Sequence, residues 1–306
     1  MTNAITIREA VTEQETNFFW EQLYAYYRRD IQFQPGSEEE AYFLDESQYR
    51  AQIDCAHNRQ HNRCYYLLLS REHQDIGFAL AAYYDTEDRK CFLMEFCVLP
   101  EFRGNGTGFQ CAQAFLDWTK SIGASYTELN CDTQQRRRFW SRSGFQSNGV
   151  DEWGEQLMTL PPETEAPIQV EILADGEDCQ LQKLENGYHT EIGGEVLTQT
   201  MQERLAQAVR DGKITVFLAK RGYRAVGMCS VVTAFSVSSD MGILDTLYVE
   251  PVFRGKGIDR MLVKAAQQWC QEKQVGSLQV TCALQDAPEY QALGFEDAVG
   301  YAYRVK

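Results

Sequence analysis

The sequence predicts an α/β chain made of two copies of one domain. Three observations carry this. Strand-length apolar runs alternate with helical stripes through the 306 residues. A strand, a glycine-rich loop and a helical stripe occur twice in that order. A second landmark, Gly-Phe, follows each loop at nearly the same distance.

The first loop lies between Val98 and Gly108 and reads V-L-P-E-F-R-G-N-G-T-G. An apolar run of strand length, 91–98, precedes it. Residues 109–122 follow, with Phe109, Ala112, Phe115, Leu116 and Trp118 on a helical stripe. Arg103, Gly104, Asn105, Gly106, Thr107 and Gly108 therefore connect a strand to the first turn of a helix. Such a loop aims several backbone N–H groups at one anion, and the helix dipole adds to the attraction. Glycine lets the anion approach the backbone. The second copy reads V-E-P-V-F-R-G-K-G-I-D from Val249 to Asp259. It follows the strand-like run 243–249 and precedes a stripe of Met261, Leu262, Ala265, Ala266 and Trp269. Arg254 lies 151 residues after Arg103, and Gly294-Phe295 lies 150 after Gly144-Phe145. Two landmarks with one spacing indicate duplication of a whole domain.

This pattern resembles the GNAT acetyltransferase family, whose (Arg or Gln)-x-x-Gly-x-(Gly or Ala) motif binds the pyrophosphate of acetyl-CoA. The resemblance covers both halves. A dinucleotide-binding G-x-G-x-x-G fails, because Phe109 stands where the third glycine belongs. The resemblance implies two tandem domains, each a central mixed, mostly antiparallel sheet flanked by helices. It implies acetyl-CoA as co-substrate and a primary amine of a small molecule or peptide as acceptor. It assigns the cofactor to Val98 and Arg103 through Gly108, and in the second copy to Val249, Arg254, Gly255, Lys256 and Gly257. In the family the central strand is kinked and splays from the next, and the acetyl group lies in that gap near Val98 or Val249.

The two halves depart from the family in opposite senses. A tyrosine four residues before the Gly of Gly-Phe often meets the leaving thiolate. Tyr290 holds that place in the second half and Trp140 in the first, and an indole N–H is a very poor proton donor. The first loop matches fully, whereas the second ends in Asp259, a carboxylate that repels a pyrophosphate. The Asn often found early in the short helix is replaced by Asp132-Thr133 and by Ala283-Leu284. Glu95 and Asp245 are candidate proton acceptors, Glu95 the preferred one. The resulting expectation is an N-acetyltransferase with the better cofactor site in the first half. The alternatives are catalysis in the second half through Tyr290, or an acyl-CoA sensor without turnover.

Composition bounds the remainder. The length suits two domains, placed at 1–160 and 168–306. Between them, residues 161–167 form a stiff linker with three prolines. Net charge is −15, with −9 in residues 1–160 and −6 in the rest, which argues against nucleic acid. Ten scattered cysteines without C-x-x-C suggest reduced thiols in a cytoplasm. No apolar run approaches about 18 residues, so no membrane span is expected. Cys55, His57, His61 and Cys64 do not have a standard zinc spacing and sit among polar residues, so no metal is expected. Oligomeric state is left open.

In chain order, Ile5 and Ile7 open a strand. Thr12 and Glu15 predict a capped helix to about Arg29. Residues 30–43 read as a loop, and Asp45 or Ser47 starts a second helix. The resemblance places the acceptor pocket here, with Tyr24, Tyr26, Tyr27, Phe33 and Phe43 as its wall. A hairpin (65–69 and 76–84), the strand 92–98, a strand at 126–131 and a short helix at 134–142 follow. In that helix Arg136, Arg137 and Arg138 read as a solvated face. Residues 158–160 close the first domain. In the second, Ile168, Val170 and Ile172 alternate, a helix spans 197–210, and strands occupy 214–219, 225–232, 243–249 and 277–282. Its short helix is 288–293.

Overall fold

In the computed structural model, the described residues are 4–298 apart from 32, 46, 132, 161–166, 175, 177, 178, 223, 236, 238 and 239. Asp132 and most of the proline-rich stretch thus lie outside them. The chain divides into two compact units, Met1–Asn148 with Glu155–Glu165, and Gly149–Gly154 with Ala166–Lys306.

Unit 1 runs β1 (Thr6–Glu9), α1 (Glu13–Asp30), α2 (Glu38–Leu44), α3 (Gln48–His57), β2 (Arg63–Arg71), β3 (Gln74–Tyr83) and β4 (Lys90–Val98). It continues with α4 (Thr107–Ser121), β5 (Tyr126–Asn130), α5 (Gln134–Arg142), β6 (Gln146–Val150, whose last two residues are counted with unit 2) and β7 (Gln156–Leu160). The sheet order is β1-β2-β3-β4-β5-β7-β6. The pairs from β1 to β4 are antiparallel and β4–β5 is parallel, so the sheet is mixed. One core packs α1 and α3 residues, such as Phe19, Trp20, Tyr27 and Tyr49, with Tyr66 and Phe78 of the sheet. A second packs Ala112, Phe115 and Leu116 of α4 and Trp140 of α5 with Ala79, Leu93 and Leu129.

Local chemistry explains the helix starts. Glu15 N donates to Thr12 Oγ1 at 3.2 Å, and Thr12 N donates to Glu15 Oε2 at 3.1 Å, the reciprocal box expected for α1. Asp45 Oδ1 accepts from Ser47 N and Gln48 N at the start of α3. The expectation of a loop over 30–43 fails at its end. Ser37 Oγ accepts from Glu40 N at 3.0 Å and caps α2, whose first turn is Glu38, Glu39 and Glu40. That acidic run suits a helix N-terminus, and Tyr42, Phe43 and Leu44 pack on the α1 core. His57 Nδ1 lies 2.9 Å from Cys64 O, and His61 Nδ1 pairs with Asp85.

Unit 2 runs β8 (Ile168–Ile172), α6 (Cys179–Glu191), α7 (Gln199–Arg210), β9 (Ile214–Arg221), β10 (Arg224–Ala234) and β11 (Met241–Val249). Then come α8 (Ile258–Glu272), β12 (Ser277–Val280) and α9 (Ala287–Gln291). Its sheet order is β12-β11-β10-β9-β8, with β11–β12 parallel and the other pairs antiparallel. Leu262, Val263 and Ala266 of α8 cover one core, and Leu181 and Leu184 of α6 cover another. The sequence reading passed over α6 and β6. Among the described residues no helix is long and apolar enough to cross a membrane.

Candidate active site

The site of unit 1 starts from a defect in β4. Ala81 pairs with Leu93, but its neighbour Leu80 pairs with Glu95, so Met94 is an extra residue. A bulge of this kind bends the strand and re-aims side chains. Its effect is visible on both sides. The last parallel pair to β5 is Leu93 with Leu129, while β4 itself continues to Val98. Met94 and Glu95, consecutive residues, both contact the α1 side. Unit 2 repeats the device. Val231 pairs with Leu244 and Ser230 with Thr246, leaving Asp245 as the extra residue, and β11–β12 pairing ends at Leu244 with Val280.

Past each strand end, Pro100–Phe102 and Pro251–Phe253 form a short 3-10 turn that leads into the loop. Gly104, Asn105 and Gly106 have φ of +96°, +48° and +78°, a left-handed run. In the second loop Gly255 and Gly257 are left-handed too, at +73° and +76°, but Lys256 between them is not. The first helical bond into the loop is Gln110 N to Gly106 O, so the N–H groups of Gly108 and Phe109 have no acceptor within the helix. Space around Gly104 and Gly106 is open, with no atom within 4 Å of where a Cβ would stand. Unpaired donors, a helix N-terminus and an open approach fit a pyrophosphate group. The second loop enters its helix in the same way, with Met261 N bonded to Gly257 O. Asp259 sits there where Gly108 sits in unit 1, and Lys256 Nζ stands 5.6 Å from the Phe253 ring centroid. Arg103 and Arg254 do not stand loose. Each donates from Nε to the last carbonyl of its strand, Val98 O at 2.8 Å and Val249 O at 2.9 Å.

Glu95 is half-buried beside the bulge. Its Oε1 accepts from the Tyr27 hydroxyl at 2.8 Å, and the Tyr27 and Tyr49 hydroxyls are 3.0 Å apart. Burial pushes the carboxyl up to about 7, against hydrogen bonds from Tyr27 and Tyr26 and the charge of Arg136, which pull it down. Tyr27 packs edge-on against Phe33 and Phe43, so with Tyr26 four of the five expected wall aromatics converge with Glu95. Tyr24 packs instead on Trp20 and Tyr27 within the core. Trp140 is buried between Phe96, Phe139 and Phe145.

Both halves of this arrangement carry a family signature in sequence. The chain matches the acetyltransferase (GNAT) family at residues 20–145 and again at 180–295, well over half its length. The chain belongs to the GNAT acetyltransferase family. It is an N-acetyltransferase in tandem form, of a fold that binds acetyl-CoA. A probable acetyltransferase of known structure is 19% identical, with 45% of this chain covering 98% of that one at a TM-score of 0.42. An acetyltransferase from Trypanosoma brucei is 17% identical, with coverages of 46% and 99% and a TM-score of 0.39. An aminoglycoside acetyltransferase from an uncultured soil metagenomic sample, solved with sisomicin, is 18% identical, with coverages of 45% and 97% and a TM-score of 0.40. No curated protein matches the chain.

The corresponding region of unit 2 has a different cast. Thr246, at the place of Glu95, shares a 2.7 Å hydrogen bond with Ser230 rather than offering a carboxylate. The buried carboxylate is instead Glu185 on α6, pushed up to about 7 by burial and by the charge of Asp245. His189 Nε2 lies 3.9 Å from it. Tyr290 is half-buried on α9, edge-on to Phe295, and burial raises its hydroxyl above the usual phenol range. Sequence reasoning missed Glu185 because it missed α6. Leu181, Leu184 and Tyr188 at helical spacing are the signal that marks that helix.

Proposed function

We propose that the chain transfers an acetyl group from acetyl-CoA to a primary amine of a small molecule or peptide, and does so in unit 1. The observation that carries this is Glu95: a carboxylate held by Tyr27 at the bulge of β4, next to a loop with unpaired N–H groups. An amine attacks only when it is neutral, so its proton must go to a nearby base. A carboxyl whose affinity for protons has been raised to about 7 accepts one near neutral pH better than an ordinary glutamate. Tyr27 and Tyr49 extend that hydrogen-bond chain and fix the carboxylate's orientation. The backbone of 103–108 would hold the pyrophosphate, with Val98 flanking the gap between β4 and β5. Acetyl-CoA supplies the activated thioester. Trp140 donates no proton here, in keeping with its place in an aromatic cluster. In Glu95→Gln, kcat/KM for acetyl transfer should fall by about 10² or more, with CoA affinity measured by calorimetry unchanged. Activity within twofold of wild type would remove Glu95 from the reaction.

A second reading places transfer in unit 2. Glu185 beside Asp245, with Tyr188 within electrostatic reach of both and Tyr290 within reach of Tyr188, favours it. Asp259 in the second loop weighs against it.

A further inference from the structure

The arginine that opens each loop has a second set of partners. Nη1 and Nη2 of Arg103 reach Oδ1 and Oδ2 of Asp30, the last residue of α1, at 3.3 and 2.5 Å. Arg29 Nη2 binds the same carboxylate at 2.7 Å. In unit 2, Arg254 Nη2 binds Glu191, the last residue of α6. The acid precedes its arginine by 73 residues in unit 1 and by 63 in unit 2, and it is Asp in one and Glu in the other. The contact has thus been built twice through intervening chain of different length. A single exposed ion pair carries little weight. An arginine–carboxylate pair that recurs at the same joint in both units, forked in unit 1 and single in unit 2, is a part of the design.

The joint lies between two functional elements. One side is the end of α1, where Tyr27, three residues before Asp30, holds Glu95. The other is the loop, through Arg103, whose Nε also fixes the carbonyl of Val98. Three of the guanidinium nitrogens' bonding directions are therefore committed to protein atoms.

We propose that Asp30 and Arg103 form a latch through which α1 sets the shape of the cofactor loop, making Arg103 a positioning residue rather than a phosphate ligand and Asp30 a determinant of CoA affinity. This rests on the reading that unit 1 binds acetyl-CoA. The latch keeps Gly104 through Phe109 in the left-handed and first-turn geometry that presents their N–H groups together. It also ties the acceptor-side helix to the cofactor side of the same unit.

The test uses the full chain, with CoA as the probe. Calorimetry gives the dissociation constant, and hydrogen exchange of amides 104–109 without CoA gives the order of the loop. Asp30→Asn should weaken CoA about three- to tenfold, as expected for losing one charged partner, and speed exchange of those amides while leaving the melting temperature within the error of measurement. Arg103→Gln should do the same, and the double variant should be no worse than either single one, because both remove one contact. Asp30→Glu should recover most of the affinity, as Glu191 serves unit 2. Arg103→Lys keeps the charge and loses the fork, and should behave like Arg103→Gln. Wild-type affinity in Asp30→Asn overturns the latch. So does a loss in Arg103→Gln far beyond that in Asp30→Asn with additive effects, since that is how a direct phosphate ligand behaves. If the wild-type chain fails to bind CoA, the unit 1 reading falls. Loop exchange then decides the latch by itself, unchanged rates in Asp30→Asn overturning it.

Discussion

Single residues differ between the units where the chemistry is decided, and Glu95 gives the clearest consequence. Its carboxyl has a pKa raised to about 7 by burial, while the unfolded chain ionises near the ordinary value of 4.5. Between those two values the folded state holds the proton and the unfolded state has released it. Stability from this group is therefore greatest at low pH and is lost as pH rises from about 4.5 to 7. Activity runs the other way, because a base must be unprotonated to accept. On the proposed reading, kcat/KM climbs through a midpoint near 7, and Glu95→Gln removes that limb of the profile. A profile flat from pH 5 to 9, taken at about those limits, counts against Glu95 as the acceptor. Tyr290 gives the matching test of unit 2. Tyr290→Phe keeps the ring against Phe295 and removes only the hydroxyl. If unit 2 carries the reaction, turnover drops by about 10² to 10⁴; if unit 1 does, turnover stays within about twofold of wild type.

Elements show how a site is held open. Gly77 of β3 stands opposite Val98, and a Cβ there would lie 2.5 Å from the carbonyl oxygen of Cys97. Gly227 of β10 stands opposite Val249, with a Cβ 2.9 Å from the carbonyl oxygen of Tyr248. Both units thus keep a glycine where the bulged strand runs close to its neighbour just before the loop. Backbone cannot yield as a side-chain tip does, so Gly77→Ala should cost about 1–3 kcal/mol of stability in urea unfolding. Loss below the error of the measurement means the strands part without strain. This close approach was not read from the sequence, although the pair of glycines recurs 150 residues apart. The loops, the hairpin and the capped α1 were legible because each is specified by neighbouring residues: Gly at positive φ, alternation, Thr12 with Glu15. The bulge at Met94, the carboxylate of Glu185 and the partner of Arg103 were not. The bulge and the arginine's partner depend on residues from a distant part of the chain, and register or pairing across that distance leaves no local pattern; Glu185 lies on a helix whose local stripe was passed over, and only its burial beside Asp245 is long-range. The short α2 was hidden for a different reason, since its three glutamates resemble a solvated loop until Ser37 is seen to cap them.

At the scale of the whole chain, duplication produced two units with one backbone plan and unequal chemistry. Both have the bulge, the parallel pair that ends early, the left-handed loop and the helix-end acid on the loop arginine. They part at the second helical residue after the loop, Gly108 in one and Asp259 in the other. A carboxylate at that place already satisfies the positive end of α8, and it opposes a pyrophosphate by like charge. The chain should therefore take up one CoA tightly, in unit 1. Calorimetry on the full chain should give a stoichiometry near one. Gly108→Asp should weaken that site at least tenfold, about 1.4 kcal/mol. Part of such a loss has a steric source, since a Cβ on Gly108 would stand 3.3 Å from the Phe139 ring. Gly108→Ala carries the same Cβ without the charge, so the difference between the two variants isolates electrostatics. Asp259→Gly should add a second, weaker site, and its appearance would show that the backbone of unit 2 is competent and only the carboxylate excludes the ligand. Two sites of equal affinity in the wild-type chain would mean that Lys256 or solvent neutralises Asp259, and that the asymmetry between the units lies in their acid and base groups alone.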